Sequence, residues 1–400
     1  MARTDKLPRA VWVIGFGIFA QGTSELMLAG LLPEMATDLG VSIPRAGLLI
    51  SAFALGMLVG APVLAVATLN WPRRHALLVF VAVFILGHVG GALTDSYAIL
   101  FITRFAAAFA YAGFWAVGGS AAMALAGPEA RGRAMSVVAG GLTVATVLGL
   151  PAGTWVGQHA GWRGAFWVVI ALSTVAAVVI AAAIPAGRPQ VQPRLGVELR
   201  GLRVPRLWLS YAMTAVATTA LLGTFSYLSA MLIETTGLMS AWVPAVLFGY
   251  GLGALIGVAV GGRAADQFPH AILGVGFAGL LLASAILALS AHQVGPTVVV
   301  VVVLGLVGFS TNPALNSRIV ALAPTSPTLA VAGNVAAFNI GISLGPWLGG
   351  LALSAGYGYP VVAWIGAALG ALALLLWSGD LALTKTAPAA AGTLVARSRE

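Results

Sequence analysis

Long apolar runs, separated by short turns that contain charged residues, Pro or Gly, fill most of the chain. Each run is about as long as the ~20 residues that a helix needs to cross the hydrocarbon core of a bilayer. None shows the sustained alternation of apolar and polar residues that is typical of a membrane β-strand. The pattern predicts an all-α integral membrane protein with twelve transmembrane helices, at residues 11–33, 45–68, 75–94, 97–118, 133–157, 163–184, 207–233, 241–262, 271–291, 295–317, 328–353 and 359–378.

The composition agrees with this prediction. Hydrophobic residues make up 60% of the 400 residues and charged residues only 8%, whereas soluble domains carry about 25% charged residues. The chain has no cysteine, which excludes disulfides and thiolate chemistry. We therefore expect a multi-pass protein of the cell (inner) membrane, in direct contact with the lipid bilayer.

The basic residues are distributed unevenly among the turns. With the N-terminus placed inside, seventeen of the 20 Lys and Arg residues lie in cytoplasmic segments, two lie outside and Arg104 lies within a span. This bias predicts that both termini are cytoplasmic. It also accounts for the net charge of +9 without nucleic acid, because the charges are spread over short loops that face anionic lipid.

An internal repeat relates the two halves of the chain. Gly-Leu-Pro-Ala-Gly at 149–153 corresponds to Gly-Pro-Trp-Leu-Gly at 345–349, an offset of 196 residues, and the turns after spans two and eight are separated by nearly the same distance. Two pseudo-symmetric six-helix units are typical of secondary transporters, which bind substrate near the midplane between the halves.

The repeat also divides the chain into four parts. We predict an N-terminal six-helix half at 1–184, a cytoplasmic linker at 185–206, a C-terminal six-helix half at 207–380 and a disordered cytoplasmic tail at 381–400. Within the linker, the leucines between 195 and 202 share one face, which suits a short helix on the inner membrane surface.

Two charged residues lie inside the spans of the first half. Glu25 has apolar sequence on both sides, and a carboxylate at this depth is costly and usually functional. Because removal from water favours the neutral acid, Glu25 suits a group that takes up and releases protons. Arg104 in span four is its candidate charge partner. Alternatively, Glu25 only holds helices together by pairing with a buried base, and Arg104 binds a substrate acceptor or caps carbonyls near a helix end.

Polar and aromatic side chains inside the spans are the candidates for substrate binding. Tyr111 and Trp115 follow Arg104 on one helical face, where they either stack on a substrate ring or pack against other helices. The second half has no acid within spans seven and nine to twelve, so we assign proton chemistry to the first half. The asparagines of the second half either bond the substrate or tie neighbouring helices together, and we favour the second interpretation for Asn334 and Asn339. The candidate substrate-binding residues are Gln21, Tyr111, Trp115, Phe225, Tyr227, Asn312, Asn316 and Asn339.

Span five is rich in glycine and proline. Small residues let helices approach closely, and proline bends a helix because it lacks an N–H. In span five these residues are Gly140, Gly149, Pro151, Gly153 and Gly157. Their ordered spacing resembles the antiporter motif of the drug-exporting branches of the major facilitator superfamily, although generic small-residue packing is the alternative.

The turn after span two and its counterpart after span eight resemble the Gly-x-x-x-Asp-Arg-x-Gly-Arg-Arg loop of the same superfamily. The resemblance implies a latch between the halves on the cytoplasmic side, formed here by Arg73, Arg74 and Asp266. The first copy has Leu69 at the aspartate position and Pro72 at the glycine. Ordinary positive charge in an inside loop is the alternative.

Further motifs extend the resemblance over nearly the whole chain. The segments 22–33, 46–62, 161–167, 312–315 and 334–341 are similar to exporters related to bacterial chloramphenicol efflux proteins, a branch of the twelve-span drug:proton antiporters. The resemblance implies proton-coupled export of a small, largely apolar compound, chloramphenicol or a similar antibiotic, by alternating access. Sugar-efflux relatives share much of the same sequence, so a sugar or metabolite exporter is the alternative.

Other classes of function have less support. The five histidines have no ligand spacing for a metal, and no phosphate-cradling loop with a lysine indicates ATP coupling. A non-transporting membrane sensor would more often carry a soluble signalling domain, and a membrane enzyme would need a cluster of acids or histidines. We expect a secondary active transporter, not an enzyme, that works as a monomer without cofactor and draws on the proton gradient.

Overall fold

The computed structural model describes residues 7–68, 70–185, 204–323 and 327–386. The described residues of the N-terminal half form α1 (Arg9–Asp38), α2 (Ile43–Ala67), α3 (Arg73–Leu93), α4 (Tyr97–Ala126), α5 (Arg131–Val144) and α6 (Leu150–Ala183). Those of the C-terminal half form α7 (Pro205–Ser226), α8 (Leu228–Glu234), α9 (Val243–Gln267), α10 (Pro269–Ser290), α11 (Val294–Ser310), α12 (Asn312–Leu322), α13 (Pro327–Ser354) and α14 (Pro360–Thr386).

The predicted all-helical membrane fold is confirmed. Within the described residues, eleven stretches of helix are long and apolar enough to cross a membrane. One of them, Arg131–Ala183, has 53 residues and changes direction at Gly161, where φ is +71°. Glycine takes up this left-handed conformation without steric cost. This stretch therefore contains predicted spans five and six, which brings the total to twelve. The side of the membrane on which the termini lie stays a prediction.

Three interruptions divide spans that the sequence pattern predicted as continuous. A π-helical segment, Ala145–Gly149, lies between α5 and α6, just before Pro151, which cannot donate a backbone hydrogen bond. Span seven breaks at Tyr227 and span ten at Thr311, directly before α12. The sequence pattern counted both spans as continuous because their average hydropathy stays high, although polar residues flank the breaks: Ser226 and Ser229 lie beside Tyr227, and Ser310, Asn312 and Pro313 lie beside Thr311. Single-turn π segments often occur at functional sites.

The two halves meet along two pairs of helices. Helix α2 packs against α13, and α9 packs against the π-helical segment and α6. The first contact joins spans two and eleven, and the second joins spans five and eight. The two contacts are equivalent under the internal repeat, because span two corresponds to span eight and span five to span eleven. Ser51 Oγ on α2 donates to the Ser343 carbonyl on α13 at 2.8 Å, and Gln158 Nε2 on α6 donates to the Ser240 carbonyl at 2.8 Å. Both bonds join the halves toward the end that is predicted to be extracellular.

The structure also bears on the predicted boundaries. The linker helix at 195–202 lies outside the described residues, and α7 begins at Pro205. Helix α14 continues through Thr386, beyond the predicted start of the tail at 381. On this extension of the last predicted span, Asp380 is fully buried and paired with Arg206 at 3.0 Å and Arg318 at 2.6 Å. The second half therefore holds a buried acid that the predicted limits of span twelve left out.

Candidate functional site

Arg104 on α4 is docked on helix α1. Its side chain is 1% exposed. Nη1 donates to Ser24 Oγ at 2.6 Å, and Nη2 donates to the Ser24 carbonyl at 3.1 Å. The guanidinium lies 4.3 Å from the ring centre of Phe53 on α2, a cation–π arrangement that gains strength away from water. A buried cation is therefore held between three helices by neutral groups.

His88 on α3 completes this network. Its Nε2 lies 2.5 Å from Ser24 Oγ and its Nδ1 lies 2.8 Å from the Phe84 carbonyl. The imidazole is buried between the rings of Phe84 and Phe166, with ring centres at 4.1 Å and 5.3 Å. Sequence reasoning set the five histidines aside as scattered. The signal that identifies this one is an imidazole within an apolar span, since a polar group at that depth needs partners.

Glu25 follows Ser24 on α1 and is half-buried. No described ion pair within 4.0 Å joins it to Arg104, although the two charges are near enough to interact. The predicted partnership is therefore electrostatic at longer range and not a direct contact. One turn earlier, Gln21 donates Nε2 to the Gly17 carbonyl of its own helix at 3.2 Å, and its buried Oε1 has no partner among the described residues.

Tyr111 and Trp115 extend this cluster along α4. Tyr111 is buried, with its ring centre 6.1 Å from those of both Phe53 and Phe84. Its hydroxyl faces Gly22 on α1, at 3.1 Å from the position that a Cβ would take there. That hydroxyl has no hydrogen-bond partner among the described residues, and Trp115, one turn further along α4, is half-buried. The structure thus places Gln21, Glu25, Arg104, Tyr111 and Trp115 along the facing sides of α1 and α4.

Two of the predicted residues in the C-terminal half, Phe225 and Asn339, are buried. Phe225 at the end of α7 stacks on Tyr250 of α9, with ring centres 4.6 Å apart. Sequence reasoning missed Tyr250, whose buried hydroxyl has no partner among the described residues. Asn339 on α13 donates Nδ2 to the Val335 carbonyl at 2.9 Å, and its Oδ1 is buried without a described partner.

The remaining three predicted substrate residues lie elsewhere. Tyr227 donates its hydroxyl to the Pro346 carbonyl at 2.7 Å, and the same hydroxyl lies close to Gly47 of the other half, toward the predicted extracellular end. Asn316 is exposed and donates to the Asn312 carbonyl at 3.0 Å. The Tyr227 bond ties helices together, whereas the Asn316 bond lies within α12, and Asn312, the first residue of α12, is partly exposed. The structure does not bring these three residues to the Glu25 cluster.

Asn334 links Asn316 to α7. It donates Nδ2 to Asn316 Oδ1 at 2.9 Å and accepts from Thr214 Oγ1 at 2.7 Å. The network joins α12, α13 and α7 within one half, which matches the helix-tying interpretation of these asparagines. The side-chain amide of Asn316 therefore uses both its nitrogen and its oxygen in hydrogen bonds to other residues of the protein.

The glycines of span five pack against α1, with one exception. Gly149, Gly153 and Gly157 face Thr23, Met27 and Leu31, so that a Cβ added at Gly153 would lie 2.8 Å from Met27 Cβ. Successive glycines are four residues apart, and so are the α1 residues that they face. The contacts therefore form one continuous close-packed face along the two helices. Gly140 has no atom within 4 Å of an added Cβ and lies off this face.

The predicted cytoplasmic latch is described only in part. Arg73 and Arg74 lie in the first turn of α3 and form no ion pair with a described residue. Asp266 lies on α9, but its side chain is outside what the structure describes. The latch stays a prediction.

Comparisons with known proteins agree with this architecture. A family model described as Major Facilitator Superfamily matches residues 14–333. The "Chloramphenicol resistance protein" of Streptomyces lividans is 38% identical over 96% of this chain and 99% of its own length. The "Inner membrane transport protein YdhP" of Escherichia coli (strain K12) is 34% identical over 93% of this chain and 95% of its own length.

Solved structures show the same fold at low sequence identity. A bacterial homologue of the human lysosomal transporter Spinster, in an inward-facing and unoccupied conformation, superposes with a TM-score of 0.72 at 18% identity. It covers 92% of this chain and 93% of its own. The nucleoside transporter NupG superposes with a TM-score of 0.74 at 13% identity, over 94% of this chain and 99% of its own.

Proposed function

Because the chain belongs to the major facilitator superfamily, we propose that it is a proton-coupled exporter of a small, largely apolar compound, chloramphenicol or a similar antibiotic, in the cell membrane. The observation that carries this proposal is Glu25, a half-buried carboxyl beside a buried cation with which it forms no ion pair. The relative named as a chloramphenicol resistance protein supports the substrate class.

The proposed cycle is a competition between proton and drug. With Glu25 ionised, the site binds drug from the cytoplasm, and the halves then rock about it to the other side. A proton from outside neutralises Glu25, which lowers the affinity for drug, and the drug leaves. The proton is released inside when the next drug binds. Because the coupling is reciprocal, each ligand weakens the other by the same factor.

The fixed charge of Arg104 sets the conditions for this exchange. A guanidinium stays protonated throughout the accessible pH range. It therefore acts as a constant positive field that favours the ionised carboxylate, against the effect of burial. A carboxyl under these opposing influences suits repeated proton uptake and release, whereas one locked in a direct ion pair does not.

The surroundings support an aromatic substrate with few polar groups. Buried aromatic rings lie in both halves: Tyr250 stacks on Phe225 in one, and Tyr111 packs near Phe53 in the other. Gln21 Oε1 and Asn339 Oδ1 are buried acceptors without a described partner, and each can receive an N–H or O–H from a ligand. A saccharide needs many more hydrogen bonds than these two acceptors provide.

The test is transport by Glu25→Gln in everted membrane vesicles. We expect the wild type to release protons when chloramphenicol is added and to accumulate the drug against its gradient. Glu25→Gln, which is isosteric but cannot ionise, should lose both. Glu129→Gln is the matched control, because Glu129 is an exposed acid outside the spans. Full pH-driven uptake by Glu25→Gln would disprove the proposed coupling.

The substrate is tested separately in an efflux-deficient host. Expression of the wild type should raise resistance to chloramphenicol, and Glu25→Gln should abolish the effect. Resistance to no antibiotic, together with export of a sugar or other metabolite, would move the proposal to the alternative substrate class.

A further inference from the structure

A chain of hydrogen bonds runs through α1, α3 and α4, and its donors and acceptors can be assigned. The Phe84 carbonyl only accepts, so His88 Nδ1, 2.8 Å away, carries a proton. A guanidinium only donates, so Ser24 Oγ accepts from Arg104 at 2.6 Å. The hydroxyl proton of Ser24 is then left for His88 Nε2 at 2.5 Å, which is the unprotonated nitrogen of a neutral imidazole.

A doubly protonated His88 does not fit this arrangement. Its Nε2–H would point at the same oxygen as Arg104, so two cations would share one hydroxyl. The Ser24 proton would also lose its acceptor, which is costly in a buried site. The ring is 1% exposed and held between Phe84 and Phe166. Because it has little room to turn toward water, the neutral acceptor is the state that this packing selects.

The hydrogen bonds among His88, Ser24 and Arg104 fix the position of the Arg104 guanidinium. Both terminal nitrogens of Arg104 are bound to Ser24, at 2.6 Å and 3.1 Å, and none forms an ion pair with Glu25, the next residue of α1. If the Ser24 hydroxyl turned its proton toward Arg104, the guanidinium would lose that acceptor. It would then be drawn to the neighbouring carboxylate, since opposite charges attract strongly in a medium of low dielectric constant. A direct pair would hold Glu25 ionised.

We propose that His88 is a positioning residue of the transport site. As a neutral acceptor it orients the Ser24 hydroxyl so that Arg104 stays on Ser24 and off Glu25, which leaves the carboxyl open to protons and substrate. The inference rests on the proposed role of Glu25 in coupling. Among the described residues of the packed helices, the ionisable side chains that interact with Glu25 are Arg104 and Tyr111 on α4, and His88 on α3 acts on it only through Ser24 and Arg104.

The experiment is an infrared pH titration of the Glu25 carboxyl in purified full-length protein without drug. Glu25→Gln identifies the carboxyl band. His88→Phe keeps an aromatic ring in the same packing but removes the acceptor, so Arg104 should move onto Glu25. We expect the titration midpoint of Glu25 to fall by about one pH unit or more, the size of effect that an opposite charge within ~4–6 Å produces.

His88→Gln is the matched control, because its amide oxygen can accept from Ser24 where Nε2 does now. It should keep the midpoint close to that of the wild type. Equal midpoints in His88→Phe and the wild type would overturn the inference, and so would equal shifts in His88→Phe and His88→Gln, which would indicate a packing role alone.

Ser24→Ala is a second variant that leaves His88 in place and removes the hydroxyl on which Arg104 is docked. It should lower the midpoint in the same direction, and it decides the question if His88→Phe does not fold. Chloramphenicol transport by the wild type is measured in parallel. A wild type that titrates as expected but exports no drug would contradict the proposed substrate and leave the role of His88 standing.

Discussion

At the scale of single residues, the central feature is a cation held by neutral partners. Arg104 lies over the ring of Phe53 and donates twice to Ser24, which together compensate for part of its lost hydration. Its planar fork reaches the hydroxyl and the carbonyl of Ser24 at once, and an ammonium cannot reproduce that geometry. Charge and hydrogen bonding are therefore separable properties of this residue, and two substitutions distinguish them.

Arg104→Ala removes the positive field at Glu25. Without it the acid is protonated more readily, and because proton and drug compete, drug affinity near neutral pH should fall and recover as the pH rises. Drug binding by purified protein across a pH series measures this. An equal loss of affinity at every pH would instead make Arg104 a substrate ligand or a structural residue.

Arg104→Lys keeps the charge but loses the fork. We expect the wild-type pH profile of drug binding, because the charge near Glu25 is kept, and a loss of stability of ~1.5 kcal/mol, because an ammonium cannot make both hydrogen bonds to Ser24. The same binding series checks the profile and thermal unfolding in detergent checks the stability, with Arg131→Lys as a control on an exposed arginine. A pH profile like that of Arg104→Ala would show that the fork, and not the charge, sets the response.

At the scale of helices, α6 and α1 are close-packed through residues without bulky side chains. Gly149, which ends the π-helical segment, and Gly153 and Gly157 of α6 form the face that lets the two backbones approach. On its other side the π-helical segment meets α9 of the second half, where a Cβ at Gly251 would lie 2.7 Å from the Thr146 carbonyl. Span five is thus in contact with both the Glu25 helix and the opposite half.

Gly153→Ala tests this close approach. The added methyl group would lie 2.8 Å from Met27 Cβ, and overpacking of this kind typically costs about 1–3 kcal/mol. We expect a lower midpoint of thermal unfolding in detergent and slower export.

Gly140→Ala is the matched control on the same span, because its Cβ would meet open space. There the gain in helix propensity, up to about 1 kcal/mol, should leave stability equal or higher. Equal behaviour of the two variants would show that Gly153 does not lie in a tight contact.

At the scale of the whole molecule, the sequence predicted the architecture because the lipid bilayer restricts which structures can cross it. A bilayer demands long apolar helices, so hydropathy alone gave twelve spans, and the repeat gave the two halves. The breaks at Tyr227 and Thr311 coincide with short polar stretches, but these do not lower the average hydropathy of the spans enough to divide them. The contacts of His88 and Arg104 with Ser24 bridge 64 and 80 residues of sequence. Such contacts depend on how three helices are rotated about their axes, which an apolar pattern on every face does not determine.

The same scale explains why some predicted site residues lie apart. Tyr227 and Asn316 are polar groups within spans, as Gln21 and Glu25 are, but the structure uses them to join helices. A polar side chain in a membrane needs a partner, and protein and substrate satisfy that need equally well. Only the three-dimensional arrangement tells which partner is present.

The contact between the halves at the predicted extracellular end gives the last prediction. Ser51 and Ser343 lie on helices of opposite halves and are joined by a 2.8 Å hydrogen bond. Since the chain has no cysteine, Ser51→Cys with Ser343→Cys introduces one reactive pair. Alternating access requires this contact to open, so a short thiol cross-linker should stop export, and reduction of a cleavable linker should restore it.

The control pair is Thr214→Cys with Asn334→Cys, whose native side chains are 2.7 Å apart within the C-terminal half. A half that moves as one body keeps this distance during the cycle, so cross-linking should leave most of the export intact. Undiminished export with Ser51 and Ser343 fully cross-linked, shown by mass spectrometry, would mean that α2 and α13 do not separate there. The halves would then have to rock about this contact as a hinge, and the opening would lie between α9 and the π-helical segment.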